Sequence, residues 1–211
     1  MERVDVIELL EDPGLPDALV ARVYREIART HRWLGNTAEL LRLLRLGPAP
    51  KRVLDIGCGQ GALLEQIRSE LGVEVVGFDL RPPPASAPVE IRTGNAVVDA
   101  LPEADVALAV CLVHHLDPQG IIGLVRNVAR SSKRLIVLDL VRHRLPLLLF
   151  RIFATPLLEP MNVADGLTSI RRAYTPDELA AIVREAVRGT DARVVHSVAP
   201  CYTRQVFDIR F

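Results

Sequence analysis

The sequence has few cysteines and no cysteine motif of a metal site. Among its 211 residues, the three cysteines are Cys58, Cys111 and Cys201, which lie far apart without a Cys-x-x-Cys spacing. An odd number of widely separated cysteines argues against a disulfide framework and against a zinc site. We therefore predict no metal site and expect a reducing, cytoplasmic environment.

An excess of charge of either sign is also missing. Lys+Arg and Asp+Glu number 26 each, which gives a net charge of zero. Proteins that bind nucleic acids usually carry a basic excess that neutralises phosphates, so this balance argues against a nucleic-acid partner. The charged fraction of 25% is that of an ordinary folded protein, and the length suits one domain with a substantial core.

Long apolar runs are absent as well. The longest, residues 145–158, is interrupted by Arg151 and by Pro146 and Pro156, and it is shorter than the roughly 20 apolar residues that span a bilayer. The N-terminal Met-Glu-Arg-Val-Asp contains no apolar signal segment. We predict no integral membrane segment, while contact with a membrane surface stays open.

From Arg52 onward, strand patterns alternate with helix patterns. The apolar segments lack polar alternation, which is typical of parallel strands covered on both faces. The predicted strands are residues 53–56, 73–78, 90–93, 106–110 and 135–140, and helices 62–71 and 121–129 lie between them. This alternation predicts a Rossmann-like α/β fold with a mostly parallel, seven-stranded sheet.

Both ends of the chain depart from this alternation. Helical spacing predicts helices over 16–29 and 37–46, so we interpret residues 1–50 as a helical N-terminal extension or lid on a single domain of residues 51–211. A capping box at Thr175 starts a helix over 176–188. The last two strands, 192–199 and 203–211, are too close for a parallel crossover and must form an antiparallel hairpin.

A glycine-rich loop after the first strand is the strongest functional signal. Asp55 precedes Gly57, Gly59 and Gly61, and glycines between a strand and a helix let a ligand approach the backbone closely. The spacing also loosely fits a dinucleotide fingerprint, so a nicotinamide oxidoreductase is an alternative. A carboxylate at Asp55 faces a pyrophosphate unfavourably, yet it suits a ligand that carries an ammonium group and a sulfonium.

A second acid, Asp79, ends the next strand about 20 residues beyond the glycines, where it can accept hydrogen bonds from both ribose hydroxyls. The alternative is a solvated turn before the proline-rich residues 81–88.

These residues resemble the class I S-adenosylmethionine-dependent methyltransferases, especially the small-molecule branch similar to ubiquinone and menaquinone methylases. The resemblance extends through Gly94-Asn95-Ala96 to the run from Cys111 to Leu116, and it covers about residues 50–140. It implies S-adenosyl-L-methionine as the cofactor. It also implies the residues that bind this cofactor: Asp55, Gly57, Cys58, Gly59, Gly61, Asp79, Leu80, Asn95, Ala96 and Cys111. Asn95 stands where the family commonly has Asp, and its amide oxygen can still accept from the adenine amino group.

A hydroxyl acceptor would need a general base, and histidine is the natural candidate. His114 and His115 follow the fourth strand, at the edge of an open α/β sheet where ligands bind. We predict both as catalytic residues and favour His115, with one ring facing the cleft and the other the sheet or the following helix. The alternative is that both only orient or pack. His31 and His143 are weaker candidates, and His196 is expected to be a surface or packing residue.

Other polar residues near the predicted cleft have two interpretations each. Asp139 either lines the pocket or acts as a helix cap or as the ion-pair partner of Arg142 or Arg144. Arg171 and Arg172 either orient an acceptor or meet surface carboxylates.

Residues 147–153 are mostly apolar and also have two interpretations. They form either a lid over an apolar acceptor or a buried helix or dimer surface.

The favoured function is transfer of a methyl group to a small, hydrophobic or aromatic acceptor, with O-methylation preferred. One alternative is a methyltransferase that modifies RNA or protein, although the neutral charge argues against RNA. Another is a non-catalytic module that keeps the fold, against which the intact acid-and-glycine loop argues. A homodimer stays open.

Overall fold

Seven strands form a single sheet in the computed structural model, which describes residues 1–12 and 14–211. The strands are β1 (Arg52–Ile56), β2 (Glu74–Asp79), β3 (Ile91–Thr93), β4 (Ala104–Val110), β5 (Ser132–Asp139), β6 (Arg193–Val198) and β7 (Gln205–Arg210). Their order is β3-β2-β1-β4-β5-β7-β6. The first five are parallel, whereas β7 is antiparallel to both β5 and β6. The predicted Rossmann-like fold with a C-terminal antiparallel hairpin is therefore confirmed.

Within the described ranges, seven α-helices accompany the sheet. They are α1 (Asp17–Trp33), α2 (Asn36–Leu44), α3 (Ala62–Leu71), α4 (Pro118–Ser131), α5 (Arg144–Leu149), α6 (Pro160–Arg172) and α7 (Pro176–Ala186). Short 3₁₀ turns span Leu9–Glu11, Val113–His115, Thr155–Leu157 and Pro200–Tyr202, and a π-helical turn spans Phe150–Ala154.

Alternating strand residues supply two apolar layers, as the period of two along a strand requires. Leu54 and Ala107 pack under α4 and α7 on one face. Val53 and Leu108 pack under α2 and α3 on the other face. The helix α2 lies within the predicted lid of residues 1–50, yet it packs in a core layer of the sheet. The predicted boundary at residue 50 between a lid and a domain therefore stays a prediction.

The segment after β5 departs most from the sequence prediction. The sequence offers a helix here only as one interpretation of residues 147–153, whereas the chain is helical in pieces from Arg144 to Arg172 and includes the unpredicted α6. Intrinsic propensity is weak there because α6 contains Asn162, Asp165 and Gly166. Tertiary contacts compensate for this weak propensity. The ring of Phe150 packs on Gly166 and occupies the space that a larger side chain there would fill.

The carboxyl ends of β1, β2, β4 and β5 lie at one edge of the sheet, and the N-terminus of the chain crosses this edge. We call residues 3–12 the N-terminal strap. Arg3 anchors it by donating to the carbonyl oxygens of Arg172 (2.6 Å), His114 (3.0 Å) and Leu116 (3.2 Å). None of the helices in the described part of the chain combines the length and apolarity that a membrane span requires.

Candidate active site

Three glycines in the left-handed region of backbone space build the loop after β1. Gly57, Gly59 and Gly61 have φ values of 72°, 55° and 80°, which other residues adopt only with strain. A Cβ at Gly59 would overlap the ring of Tyr24, and one at Gly61 would overlap Val89. The loop therefore brings backbone N–H groups close to the neighbouring cavity without intervening side chains.

Two carboxyl groups flank this loop. Asp79 accepts from the backbone N–H of Gly59 (2.8 Å) and of Arg81 (2.9 Å), one on each oxygen, so each oxygen retains a lone pair. Asp55 is only 3% exposed, and its Oδ1 has no hydrogen-bond partner among the described residues. Burial, reinforced by the charge of Asp79, raises the pKa of Asp55 to about 8. A buried carboxyl group without a partner is suited to a cationic ligand.

Both carboxyl groups line one cavity of about 1390 Å³ at the carboxyl edge of the sheet. Ligand pockets typically measure ~300–1,000 Å³, so the cavity has room for a cofactor and a second molecule. The outer wall comes from α1, the segment after β5, and α6. It includes charged residues of α1 such as Arg25 and Arg29, and its apolar members are Ile27, Leu34, Leu140, Phe150, Leu158 and Ile170.

Nine of the ten predicted cofactor residues line this cavity: Asp55, Gly57, Cys58, Gly59, Asp79, Leu80, Asn95, Ala96 and Cys111. The tenth, Gly61, caps α3, and its N–H donates to the carbonyl of Cys58 at 3.0 Å.

His114 is buried between two carboxylates. Its Nδ1 lies 2.7 Å from Asp139 Oδ1, and its Nε2 lies 3.6 Å from Glu8 Oε1. Burial alone would lower the pKa of His114, but the charges and hydrogen bonds of Asp139 and Glu8 outweigh it and raise the pKa to about 9. His114 is therefore an imidazolium at neutral pH and cannot accept a further proton.

His115 lies beside His114 with a ring-centroid separation of 4.1 Å, and it lines the cavity with its side chain 27% exposed. Its Nδ1 is 2.9 Å from Glu11 Oε1. Burial, together with the charge of His114, lowers the pKa of His115. Its ring is therefore neutral at pH 7. The carboxylate of Glu11 accepts a hydrogen bond from Nδ1–H of His115. The proton of the neutral ring is then on Nδ1, so the lone pair of Nε2 is free to accept another proton.

The N-terminal strap supplies the carboxylates of this cluster. Glu8 accepts from Ser169 Oγ at 2.7 Å, and Glu11 accepts from the guanidinium of Arg172. The carboxylate of Asp165 in turn accepts two backbone N–H groups of the strap at 2.7 and 2.9 Å. The role of the strap could not be predicted from the sequence, since two acids three residues apart are too common to indicate a site.

Comparison with known proteins decides the family. A family model described as a methyltransferase domain matches residues 24–186, more than half of the 211-residue chain. The chain belongs to this methyltransferase family. The predicted class, the class I S-adenosylmethionine-dependent methyltransferases of the small-molecule branch, is confirmed, and S-adenosyl-L-methionine is the cofactor.

Relatives of this methyltransferase include the ubiquinone biosynthesis O-methyltransferase of Hahella chejuensis, which is 27% identical over 74% of this chain and 75% of its own. The enzyme of the same name from Pseudomonas entomophila is 26% identical over 79% and 82% of the two chains. Among solved structures, the plantazolicin methyltransferase BamL, in complex with a triazolic desmethylPZN analogue and S-adenosylhomocysteine, has the same fold. Its TM-score is 0.69, with 13% identity and 90% coverage of each chain.

The described residues of the methyltransferase fit this cofactor. The unpartnered Oδ1 of Asp55 offers an acceptor to the ammonium of the methionine moiety, and Asp79 offers lone pairs to the ribose hydroxyls. The glycines of the loop permit the close approach that both contacts require.

The adenine end of the site differs from expectation in one respect. The amide oxygen of Asn95 already accepts from the backbone N–H of Val97 at 3.0 Å, so it holds a turn and keeps only one lone pair for adenine. Asn127, which the sequence analysis did not consider, supports this turn from α4 by donating to the carbonyls of Ala96 (2.9 Å) and Asp99 (2.7 Å).

The other histidines of the methyltransferase lie in different places. His31 lines the cavity and bonds to Asn36 at 3.0 Å, and burial lowers its pKa. His143 accepts from the backbone N–H at the start of α5 and stacks on Tyr202, so it is not part of the cavity wall. His196 stacks on Phe207, as expected of a packing residue.

The structure places two residues that had two interpretations each. Asp139 is 1% exposed and absent from the cavity wall, and it pairs with no arginine of the described chain. It bonds to His114 and accepts from the backbone N–H of Val113 (2.8 Å) at the start of the 3₁₀ turn, while Arg142 pairs with Glu178 at 2.5 Å. Arg172 is also absent from the cavity wall and meets the carboxylate of Glu11, as its second interpretation has it.

Glu8, His114 and His115 also place one potential metal-binding atom each within 4.8 Å of the others. His114, however, is protonated at neutral pH and hydrogen-bonded to Asp139, and metal ligation requires a deprotonated nitrogen. The sequence-based expectation of no metal site stays a prediction.

The His114–Asp139 pair predicts a pH-dependent stability. We expect Asp139→Asn to lower the free energy of unfolding at neutral pH by about 3–5 kcal/mol, since it leaves a buried charge without its partner. The folded-state pKa of His114 is raised from 6.5 to about 9. The stabilisation is therefore complete below pH 6.5 and is lost as the pH rises through 9. Urea unfolding across this range measures both effects, and an unchanged pH slope in the variant would contradict the assignment.

Proposed function

We propose that this methyltransferase methylates the hydroxyl oxygen of a small, apolar aromatic acceptor. The observation that carries the proposal is the neutral ring of His115, which lies on the cavity wall with Nδ1 held by Glu11 and Nε2 available as a proton acceptor. The curated relatives named above are O-methyltransferases, which supports oxygen as the target atom.

The cofactor roles are proposed residue by residue. Bound S-adenosylmethionine supplies a methyl group on a sulfonium, and the chain has only to hold and orient it. Asp55 binds the ammonium, Asp79 binds the ribose, and the loop from Gly57 to Gly61 lies along the cofactor. Asn95 and Ala96 border the adenine, with Cys58, Leu80 and Cys111 as packing neighbours.

His115 acts as the general base in this proposal. Its Nε2 takes the hydroxyl proton while the acceptor oxygen forms its bond to the methyl carbon and the carbon–sulfur bond breaks, with its electron pair going to sulfur. The resulting imidazolium lies next to Glu11 and within 4.0 Å of Glu8, so both carboxylates stabilise the charge that develops. His114 positions its neighbour and takes no proton.

The apolar members of the outer wall select the acceptor. Ile27 and Leu34 come from the predicted N-terminal lid, and Phe150, Leu158 and Ile170 come from beyond β5. A side-chain set of this kind favours an apolar molecule with one hydroxyl near His115. Within the proposed division of the chain into a lid of residues 1–50 and a domain of residues 51–211, these contacts support a lid role for α1, whereas α2 packs in the core.

Transfer of a labelled methyl group tests the function. Purified protein is incubated with S-adenosylmethionine and with pairs of aromatic acceptors. The members of a pair differ only in carrying a phenolic hydroxyl or an aniline amino group, and the pairs are prepared on apolar and on charged ring systems. We expect transfer to the apolar phenols. Preferred methylation of the anilines, or of the charged phenols, would contradict the proposal.

The base assignment also predicts the pH profile. Because the pKa of His115 is lowered from 6.5, the base stays unprotonated down to pH 6.5, and kcat/KM loses activity only below that value. Above pH 9 the charge of His114 is lost, so the ion pairs that hold the N-terminal strap weaken and the rate falls again. A steady-state profile of kcat/KM for a phenol whose pKa lies above this range checks both limbs, with S-adenosylmethionine saturating so that the titration of Asp55 does not contribute. A rate that rises continuously from pH 6.5 to 9 would contradict this assignment.

A further inference from the structure

The helical segment after β5 exposes an unusual number of large apolar side chains. Leu148, Ile152, Phe153 and Leu157 are 53%, 54%, 56% and 67% exposed. Between residues 151 and 157, only Ala154 is buried. Isolated apolar residues are normal on a protein surface, whereas a contiguous group within ten residues marks a site of interaction. We call residues 144–157 the apolar segment.

The charges of this surface have one sign. Residues 141–158 contain no aspartate or glutamate, and both Arg144 and Arg151 are exposed without an ion pair to any described residue. Basic side chains beside exposed leucine, isoleucine and phenylalanine are the composition of helices that lie in the interface of an anionic membrane. The long arginine side chains can reach phosphates while the apolar residues enter the acyl region.

The apolar segment is also one wall of the cavity. Phe150 lines the cavity, while Ile152 and Phe153, in the same π-helical turn, point to the outside. Only one helix thickness therefore separates the acceptor cavity from the surface that carries the exposed residues.

We propose that the apolar segment docks this protein on the surface of an anionic phospholipid bilayer. Phe153, Ile152 and Leu148 insert at the level of the headgroups, and Arg144 and Arg151 bind lipid phosphates. Docking places the apolar wall of the cavity at the bilayer, where an apolar acceptor is concentrated. This last consequence rests on the proposed function, whereas the docking itself does not.

Vesicle flotation of the full-length protein tests the proposal without any turnover. The protein is mixed with vesicles of phosphatidylcholine alone or of phosphatidylcholine with phosphatidylglycerol. We expect it to float with the mixed vesicles, to bind the neutral ones more weakly, and to be released by salt. Arg151→Gln should weaken binding about fivefold, and the double variant Ile152→Asp/Phe153→Asp should weaken it at least tenfold.

The matched control is Val195→Asp, because Val195 is 65% exposed on the outer strand β6. This control should float like the wild type. Circular dichroism and calorimetric binding of S-adenosylmethionine establish that each variant is folded. Absence of flotation with the mixed vesicles, or equal binding by all variants, overturns the proposal. Sedimentation experiments without lipid provide a further test. If the wild type is a dimer and the double variant is a monomer, the proposal is also overturned, since a second copy of the chain would then cover the apolar segment.

Discussion

Replacing Asp55 by asparagine is expected to weaken S-adenosylmethionine binding about a hundredfold, which corresponds to roughly 3 kcal/mol. The buried Oδ1 of Asp55 has no partner in the described chain, so the ammonium of the cofactor is the charge that it meets on binding. An asparagine keeps the shape of the side chain but cannot supply the negative charge. Isothermal titration calorimetry measures the loss directly.

Proton release gives this prediction a second readout. Because the pKa of Asp55 is about 8 without ligand, most of the wild-type protein at pH 7 holds a proton there, and the arriving ammonium expels it. Titrations in buffers of different ionisation enthalpy should therefore report release of close to one proton in the wild type and none in the variant. Asp177→Asn, on the exposed first turn of α7, is the control and should alter neither quantity. Unchanged affinity in Asp55→Asn would contradict the assignment.

The stability of the ligand-free protein should move in the opposite direction. The pKa of Asp55 is raised from 3.8 to about 8 in the folded state. Between these values the unfolded chain releases a proton that the folded chain keeps, so the free energy of unfolding falls as the pH rises. Asp55→Asn removes this contribution, and its apo form should be at least as stable as the wild type at pH 7.

His115→Ala is expected to lower kcat by about 10²–10⁴-fold, the range typical for loss of a general base. The affinity for S-adenosylmethionine should stay close to that of the wild type, because the proposed cofactor contacts are at Asp55 and Asp79. Glu11→Gln should have a smaller effect in the same direction, since the amide oxygen can still accept from Nδ1 of His115 but no longer supplies the negative charge that stabilises the protonated ring. Single-turnover methyl transfer, with the cofactor saturating, separates these effects from binding.

His31 is the competing base, because it also lines the cavity and its pKa is also lowered. His31→Ala and His115→Ala should therefore be compared under identical conditions. A large loss in His31→Ala together with near-normal turnover in His115→Ala would transfer the role of base to α1. His196→Ala, on the outer strand, is the control and should retain full activity.

The sheet and the cofactor loop could be predicted from sequence because their signals are local. The glycines after β1 must take positive φ values, and only a few residue types allow this. Apolar segments without alternation identify strands that are covered on both faces. Asp55 and Asp79 could be placed because Asp79 is the last residue of such a strand and Asp55 is the last but one.

The acid–base cluster could not be predicted in the same way, because its members come from distant parts of the chain. His114 meets Asp139 from the next strand and Glu8 from the N-terminal strap, 106 positions earlier in the sequence. The sequence identified both histidines as candidates, but the carboxylates that make one ring charged and the other neutral are tertiary neighbours. The helix α6 was missed for a similar reason, because contacts with α1 and the strap stabilise it against its own composition.

In our proposal, one cavity holds an adenosyl sulfonium against Asp55 and Asp79, with a neutral His115 at the methyl group. The decisive experiment is a crystal structure with S-adenosylhomocysteine and a phenolic acceptor. We expect the cofactor ammonium within about 3 Å of the Asp55 carboxylate, the ribose hydroxyls on Asp79, and the acceptor oxygen within about 3 Å of His115 Nε2. An amino-acid moiety bound away from Asp55, or an acceptor hydroxyl bound to another residue, would contradict it.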